Sequence, residues 1–230
     1  MIELITSKLL SDAGILHGFT GSDDFTRPQA FSALQEQMNI TAPTFKVTQV
    51  HGSTVVITSE ITAVDFSASG NVEADAIIAD TAACIGVVTA DCVPILLYCR
   101  ETGLTAAIHA GWKGLSRGVV RNTVRTMFHR GATAKSIVCV IGPCICFDCY
   151  DVGEDVAGLF PESSEPIPGA EGQYYLDLAQ AVEVSLIGTG LSTSTIERVD
   201  ICTSCSDRGL HSYRKSKGDC GRQYAFICRE

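Results

Sequence analysis

Residues 89–114 read TADCVPILLYCRETGLTAAIHAGWKG, and this stretch decides the fold expected of the chain. Two apolar runs, 95–99 and 104–108, flank a polar Arg-Glu-Thr-Gly segment that is typical of a hairpin loop. The pattern predicts two neighbouring strands, with Cys92 at the mouth of the first and His109 at the end of the second. Pro94 is compatible with a strand start, because the ladder needs no donor there.

A metal site is predicted around this hairpin. His51, followed by Gly52, lies upstream of it, and His109 precedes an Ala-Gly pair, so the backbone can come close to what these histidines hold. One thiolate and two imidazoles form a three-ligand set with an open fourth position, which is the arrangement of a catalytic metal. An enzyme is therefore the leading hypothesis, and a core cysteine with two locally satisfied histidines is the alternative.

The rest of the chain predicts an α/β fold in one domain, 1–230, with a mixed sheet, because the hairpins argue against a regular βαβ rhythm. Residues 45–50 and 54–58 are expected to form a hairpin about His51-Gly52. Residues 162–172 form the one loop-like stretch. The further expected strands are 76–79, 84–89, 136–141, 201–202 and 224–228, and the expected helices are 115–130, 151–160 and 176–186.

Composition excludes several classes of protein. The chain has 230 residues, of which 46% are hydrophobic, and its net charge is −9. No apolar run reaches the ~18–20 residues of a membrane span, and an acidic chain without a basic stripe is a poor nucleic-acid binder. We expect no nucleic-acid or membrane partner. The N-terminal residues lack the pattern of a secretory signal, which favours the cytoplasm.

The cysteines are interpreted mainly as reduced thiols. There are eleven, an odd number, in a chain too large to need disulfides, so no obligatory disulfide is expected. Cys84 and Cys139 lie in apolar runs and are expected to be core residues. The cysteines at 144, 146 and 149, with Cys202 and Cys205, could supply four ligands to a structural zinc, or they could be reduced loop cysteines.

Short motifs in the same order along the chain resemble the YfiH-like, laccase-domain family, first labelled polyphenol oxidases and later described as purine nucleoside phosphorylases. Together they span almost the whole chain. The matching pieces are Gln49-Val50-His51-Gly52, Glu73-Ala74-Asp75-Ala76, Thr89-Ala90-Asp91-Cys92-Val93-Pro94, His109-Ala110-Gly111-Trp112-Lys113-Gly114, Ile141-Gly142-Pro143, Cys149-Tyr150-Asp151-Val152-Gly153, Cys202-Thr203, Ser212-Tyr213-Arg214 and Gly221-Arg222.

The resemblance implies a sandwich of mixed sheets flanked by helices and a zinc site made of His51, Cys92 and His109. It also implies phosphorolysis of adenosine, inosine, guanosine and methylthioadenosine, with adenosine deamination as a second activity. Purine nucleosides and phosphate are then the partners. Lys113 stands where the family usually has arginine, and a lysine lacks the bidentate fork of arginine toward phosphate.

Further residues are assigned roles in this chemistry. Phosphorolysis needs cations that hold phosphate, and deamination needs a carboxylate that moves protons beside the zinc. Gln49 is expected at the substrate pocket or beside the ligands. The candidate cations are Lys113, Arg214 and Arg222, and the candidate carboxylates are Asp75 and Asp91.

Three other functions are alternatives. A copper polyphenol oxidase would also use imidazole and thiolate ligands, but a site for several copper ions needs more histidines than the five present. In an amidase acting on cell-wall precursor peptides, Cys92 would be the nucleophile and His109 its base. A partner-binding module would hold zinc in a closed, purely structural site. The sequence leaves the oligomeric state open.

Overall fold

The computed structural model describes residues 1–63 and 72–229. The predicted domain, 1–230, thus includes residues 64–71 and 230, which lie outside the described part. Three sheets are present among the described residues. Five strands form one sheet in the order β1-β2-β14-β6-β3, six form another in the order β13-β9-β7-β8-β5-β4, and three form a small sheet in the order β10-β12-β11.

The strands are short, and the longest of them lie at the centres of the two large sheets. Their bounds are β1 Leu4–Ile5, β2 Leu16–Thr20, β3 Thr44–Phe45, β4 Val55–Ile57, β5 Ala76–Ala79, β6 Ala83–Thr89, β7 Val93–Cys99, β8 Thr105–Ala110, β9 Ile137–Ile141, β10 Asp151–Gly153, β11 Ser164–Pro166, β12 Gln173–Leu176, β13 Ile196–Arg198 and β14 Gln223–Arg229.

Seven α-helices connect these strands in the described ranges, and each is too short or too polar to traverse a bilayer. Three of them, α2, α4 and α6, have ten or eleven residues. The helices are α1 Lys8–Asp12, α2 Pro28–Met38, α3 Trp112–Ser116, α4 Val119–His129, α5 Glu154–Ala157, α6 Leu178–Ile187 and α7 Tyr213–Ser216.

The two large sheets pack face to face, and helices cover their outer faces. Side chains that alternate along a strand explain this layering. Ile85 and Ile227 of the five-stranded sheet meet Leu96 of the six-stranded sheet in the central layer. On the outer faces, α2 covers β14 and β6, while α4 and α6 cover β7 and β8. The predicted α/β sandwich of mixed sheets flanked by helices is confirmed.

The hairpin predicted from 89–114 is confirmed. β7 pairs antiparallel with β8, and their register places Val93 opposite Ala110 and Pro94 opposite His109. Gly103 closes the connecting loop at φ 72°, a conformation that glycine adopts without steric cost. The strands expected at 76–79, 84–89, 136–141 and 224–228 are present as β5, β6, β9 and β14.

The hairpin expected about His51-Gly52 is absent. β3 pairs in parallel with β6 in the five-stranded sheet, whereas β4 pairs in parallel with β5 in the six-stranded sheet. The chain therefore crosses from one sheet to the other between these strands. The prediction was wrong because the bend at His51 is held by side-chain contacts rather than by a cross-strand ladder.

The helix expected at 115–130 is divided into α3 and α4. Gly118 lies between them at φ 88°, a left-handed conformation that interrupts a right-handed helix. Close packing fixes the direction of α3, because a Cβ on Gly114 would lie 2.7 Å from the carbonyl oxygen of Gly52. The helix expected to end at residue 130 ends at His129, and Gly131 follows it at φ 92°, a left-handed conformation.

Three other expected elements have different bounds. Residues 151–153 form β10, so the helix expected at 151–160 is shortened to α5, Glu154–Ala157. The helix expected from residue 176 begins after Asp177, whose carboxylate accepts a hydrogen bond from the backbone N–H of Gln180 and caps α6. Residues 201–202 contribute one isolated bridge, between Cys144 and Cys202, rather than a strand.

One disulfide contradicts the expectation of fully reduced cysteines. Cys84 on β6 and Cys228 on β14 are directly opposite each other, their Cα atoms are 4.0 Å apart, and a disulfide joins them. Both side chains are buried, as expected for Cys84, but beneath α2. The pairing depends on a strand register across 144 positions, which neither the cysteine count nor the local spacing reveals.

Candidate metal centre

The β7–β8 hairpin brings Cys92 and His109 to the same edge of the six-stranded sheet. Cys92 immediately precedes β7, and His109 is the next-to-last residue of β8. Because antiparallel partners run in opposite directions, the start of one strand lies beside the end of the other. Two side chains that are 17 positions apart in sequence thereby meet.

Asp75 connects β5 and the loop that carries His51 to this edge of the sheet. It directly precedes β5, which pairs antiparallel with β8. Its carboxylate is fully buried and accepts hydrogen bonds from the backbone N–H groups of Val50 at 3.2 Å, His51 at 3.0 Å and Gly52 at 2.6 Å. The loop that crosses between the sheets is thus held next to His109.

The imidazole of His109 is oriented by the same carboxylate. Nδ1 of His109 lies 2.7 Å from Oδ1 of Asp75, and the backbone N–H of His109 donates to the Asp75 carbonyl at 2.8 Å. A proton on Nδ1 satisfies the carboxylate and leaves Nε2 with a free lone pair, so this contact selects the tautomer that can bind a metal.

His51, Cys92 and His109 form a compact group of potential ligands. One ligand atom from each lies within 4.8 Å of the others, and the two imidazole rings are 4.7 Å apart between centroids at an interplanar angle of 84°. His109 is buried, Cys92 is half-buried and His51 is exposed. The site therefore has a closed inner side and one side that is open to solvent.

Gly111 leaves room for this group. A Cβ at this position would lie 2.9 Å from Sγ of Cys92 and 3.1 Å from Cδ2 of His51, closer than side-chain carbon atoms approach such neighbours. His51 itself has φ 57°, which is uncommon for a residue other than glycine, and the hydrogen bonds to Asp75 hold it there.

The contacts within the group shift Cys92 toward the thiolate that ligates metals, and they shift His109 toward the imidazolium, whose Nε2 proton a metal would have to displace. Burial by itself raises the pKa of the Cys92 thiol, but hydrogen bonds from His109 and His51 outweigh it and lower the pKa to about 6. Burial lowers the pKa of His109, whereas its hydrogen bonds to Asp75 and Cys92 raise this pKa to about 9. A thiolate next to two imidazoles is a soft donor set suited to zinc or copper.

Asp91, the second candidate carboxylate, lies behind Cys92. It is 8% exposed, and its φ of 86° is a left-handed conformation. Oδ1 accepts a hydrogen bond from Oγ1 of Thr203 at 2.6 Å, and Oδ2 accepts one from the backbone N–H of Arg214 at 2.7 Å. Asp91 therefore connects the Cys92 turn to two later segments of the chain.

Gln49 and Arg222, two residues expected to contact substrate, are hydrogen-bonded to the protein backbone instead. The side-chain amide of Gln49 donates to the Val88 carbonyl and accepts from the Val88 N–H, both at 2.8 Å, so it links the loop to β6. Nη1 of Arg222 donates to the carbonyls of Cys220 at 3.0 Å and Gly221 at 2.9 Å. This geometry favours structural roles for both side chains.

The other two expected cations are exposed. Lys113 is exposed at the start of α3, four residues after His109, and its Nζ lies 5.5 Å from the ring centroid of Trp112. The guanidinium of Arg214 donates to the side chain and carbonyl of Asp151 and lies 5.0 Å from the Tyr150 ring centroid.

Two residues near the group were not predicted from the sequence. Arg117, at the end of α3, donates to the His51 carbonyl at 3.4 Å. Tyr150 lies under the Arg214 guanidinium, and burial followed by the negative charge of Cys92 raises the pKa of the tyrosine to about 12. The position of Tyr150 inside the Cys149–Gly153 motif was the available signal for it.

His17 lies outside the group. Its Nε2 accepts a hydrogen bond from the Ser7 N–H at 2.8 Å, and its Nδ1 is 2.8 Å from the Ile15 carbonyl. Both ring nitrogens are thus used within the N-terminal segment. His17 therefore stabilises this segment and contributes nothing to the group.

The fold and these residues define a class of protein: an α/β sandwich with a candidate Cys-His-His metal site at one sheet edge. The family described as multi-copper polyphenol oxidoreductase laccase matches residues 20–230. The chain therefore belongs to this family, which includes the YfiH-like proteins.

Several relatives carry enzyme names. A purine nucleoside phosphorylase of Deinococcus radiodurans is 36% identical over 79% of this chain and 68% of its own. The purine nucleoside phosphorylase YlmD of Geobacillus stearothermophilus is 39% identical over 61% of this chain and 54% of its own. The adenosine deaminase RL5, from an unknown prokaryotic organism, is 33% identical over 64% of this chain, which spans 58% of that relative.

Solved structures share the fold. The crystal structure of YlmD from Geobacillus stearothermophilus has a TM-score of 0.82 and 27% sequence identity, covering 95% of this chain and 93% of its own. The Bacillus licheniformis protein YfiH has a TM-score of 0.87 at 22% identity, over 95% of this chain and 94% of its own, which shows a common fold.

Proposed function

We propose that this chain is a zinc-dependent purine nucleoside phosphorylase with a second activity as an adenosine deaminase. Its expected substrates are adenosine, inosine, guanosine and methylthioadenosine. The observation that carries the proposal is the orientation of His109 by the buried Asp75 next to Cys92 and His51. The names of the relatives from Deinococcus and Geobacillus, and of the deaminase RL5, support it.

Zinc fits the donor set of His51, Cys92 and His109. Three protein ligands with a solvent-open side are the arrangement of catalytic zinc sites. The close approach of Gly111 leaves the space that a Cβ would fill, and Asp75 supplies the partner that metal-bound histidines usually have. Copper would accept the same donors, so measurement of the bound element is part of the test below.

Bound zinc would supply Lewis acidity and an activated water for attack on the purine ring of adenosine. The two carboxylates then have different roles. Asp75 is fully buried and saturated with hydrogen bonds, so it acts as a positioning residue for His109 and His51. Asp91, whose side chain is less enclosed, is the better candidate for moving protons.

Phosphorolysis forms a bond between a phosphate oxygen and the anomeric carbon while the bond from that carbon to the purine nitrogen breaks. Cations must hold the phosphate at the sugar during this exchange. Lys113 lies in the first turn of α3, Arg117 follows α3 and contacts the His51 loop, and Arg214 contacts Asp91 and Tyr150. We propose that these side chains form the phosphate subsite, whereas Arg222 has a structural role because its guanidinium binds two backbone carbonyls.

The cytoplasm is the proposed compartment, because nucleosides and phosphate are both available there. The free thiols of Cys99, Cys139 and Cys144 support a reducing environment, whereas the Cys84–Cys228 disulfide argues against it. No partner other than substrate is proposed, and the oligomeric state remains to be measured.

A nucleoside panel with and without phosphate tests the proposal. Protein purified without added metal is analysed for its metal content and then incubated with adenosine or inosine. In the presence of phosphate, the expected products are the free base and ribose-1-phosphate. Adenosine is also expected to release ammonia slowly, whether or not phosphate is present. Removal of the metal by a chelator is expected to stop ammonia release, and added zinc is expected to restore it.

Other outcomes identify the alternatives. Oxidation of phenols by copper-loaded protein, without any phosphate-dependent product, favours the polyphenol oxidase. Hydrolysis of an amide substrate by metal-free protein favours Cys92 as a nucleophile with His109 as its base. Zinc that is bound without any turnover favours a structural module.

A further inference from the structure

A second group of potential metal ligands lies in two later loops. Cys146 immediately precedes a 3₁₀ turn, Phe147–Cys149, whose last residue is Cys149, and Cys202 and Cys205 lie between β13 and α7. The four Sγ atoms lie within 4.8 Å of one another, and those of Cys146 and Cys205 are 3.8 Å apart. All four are free thiols.

The spacing of these cysteines is informative. Each pair has two intervening residues, Phe147-Asp148 in the first and Thr203-Ser204 in the second. Two such Cys-x-x-Cys pairs that converge in space form the ligand set of tetrahedral structural zinc sites. Convergence across 53 positions is unlike the behaviour of unrelated loop cysteines, because nothing in the sequence requires these loops to meet.

The backbone around the cysteines suits bound thiolates. The N–H groups of Cys146 and Ser204 both point at Sγ of Cys202 from 3.3 Å. Such donors stabilise negative charge on sulfur and play the supporting role that second-layer contacts have around metal ligands.

The two loops are also fixed to each other. Cys144 and Cys202 form a bridge, in which the Cys144 N–H donates to the Ile201 carbonyl at 3.3 Å and the Thr203 N–H donates to the Cys144 carbonyl at 3.0 Å. A cavity of about 220 Å³ lies next to the cluster and is lined by Cys146 and Cys202. An ion can therefore reach the sulfur atoms from solvent.

We propose that Cys146, Cys149, Cys202 and Cys205 bind a second zinc ion in a closed, structural site. The soft thiolate set selects zinc over magnesium or calcium. Four protein ligands leave no open position, so this ion takes no part in chemistry. It is distinct from the proposed zinc at His51, Cys92 and His109, and it does not depend on the proposed enzymatic activity.

This zinc site supports the turn that carries Cys92. Thr203, inside the second cysteine pair, donates its hydroxyl to Asp91, and the Ile145 N–H donates to the Asp91 carbonyl at 3.0 Å. Asp91 is in a left-handed conformation that needs such restraint. Loss of the ion is expected to loosen both loops and, through Asp91, the neighbouring turn.

Metal content and sulfur coordination test the proposal. Wild-type protein, purified under reducing conditions, is expected to contain about two zinc ions per chain. Cys205→Ser and Cys146→Ser should each lose about one of them and melt at a lower temperature. Cys220→Ala, which changes a cysteine outside the cluster, should keep both ions.

X-ray absorption on the Cys92→Ala protein gives a second measurement that does not depend on the folding of the cluster variants. The remaining zinc should show four sulfur neighbours at about 2.3 Å. A mixed nitrogen and sulfur shell for that ion would overturn the assignment. Two further results would overturn it as well: no zinc in Cys92→Ala, or peptide mapping that finds disulfides among the four cysteines of the wild-type protein.

Discussion

Nδ1 of His109 lies 2.7 Å from Oδ1 of Asp75, and water reaches neither side chain to any extent. The same carboxylate receives three backbone N–H groups of the His51 loop. One side chain therefore sets both the tautomer of one ligand and the position of another. The geometry of the metal centre depends on this residue as much as on the ligands themselves.

Asp75→Asn is expected to weaken zinc binding at this centre by about 10- to 100-fold, the usual effect of losing a carboxylate partner of a metal-bound histidine. The amide NH₂ of asparagine would face the N–H groups of Val50 and Gly52, and these donors would then lack an acceptor. The free energy of unfolding should therefore fall by ~1–3 kcal/mol. Chelator competition and thermal melting measure these effects. Asp80→Asn, at the other end of β5, is the control and should keep its zinc affinity. Unchanged affinity in Asp75→Asn would contradict the orienting role.

Cys92→Ala is expected to remove the zinc of this centre and to abolish ammonia release from adenosine. The fold should remain, because Cys92 lies at a strand mouth rather than in the core. Elemental analysis, an ammonia assay and circular dichroism check these points. Cys220→Ala serves as the matched control. If Cys92→Ala keeps all its zinc, the ligand assignment is wrong.

Gly111→Ala tests the space around the ligands. The added Cβ would lie 2.9 Å from Sγ of Cys92, so we expect a loss of zinc affinity and of turnover with little change in melting temperature. Gly188→Ala is the control, because this exposed glycine follows α6 at φ −60°, which alanine adopts, and the nearest atom to its new Cβ would be the Val184 carbonyl oxygen at 3.3 Å. Equal zinc affinity in the two variants would show that the site relaxes around the added carbon.

Lys113→Ala is expected to raise the phosphate concentration needed for half-maximal phosphorolysis by about 10- to 100-fold. This corresponds to the ~1.5–3 kcal/mol of a charged hydrogen bond. The KM for inosine should change little. Lys135→Ala is a matched control, since this exposed lysine precedes β9 at the opposite end of the sheet from Cys92. A similar change in both KM values would indicate a general disturbance of the pocket instead.

Thiol titration checks the disulfide. In denaturant with a chelator, reduction should expose two thiols more than the unreduced protein shows, because Cys84 and Cys228 are paired. Cys84→Ser should then lower the melting temperature, since the crosslink closes a long loop and typical disulfides contribute ~2–4 kcal/mol. Identical titrations before and after reduction would instead support the fully reduced chain expected from the cysteine count.

Local patterns were sufficient for the parts of the fold that depend on neighbouring residues. The apolar runs around Arg100–Gly103 predicted the β7–β8 hairpin, and that hairpin alone brings Cys92 to His109. The division at Gly118 was missed, because a glycine within an amphipathic pattern does not by itself reveal a left-handed conformation.

Contacts between distant segments could not be predicted from such patterns. The role of Asp75 toward residues 50–52 arises only when the chain crosses between the two sheets and brings that loop to the start of β5. The Cys84–Cys228 pair likewise depends on a register set by the whole fold. For the cysteine cluster the sequence indicated five candidate ligands, and only the fold shows which four converge. The phosphate-binding roles of Lys113 and Arg214 stay predictions, because the contacts of these side chains within the protein do not reveal which substrate they bind.

The strand order of the five-stranded sheet has a consequence for biosynthesis. β14 lies between β2 and β6, although it follows every other described strand in the chain. During synthesis, β2 and β6 therefore lack the strand that pairs with both of them until β14 has emerged from the ribosome. Until then, the unpaired edge of β6 can pair with other strands and promote aggregation. We expect this sheet to close only once β14 has been synthesised, and a chaperone that shields strand edges should raise the yield of folded protein.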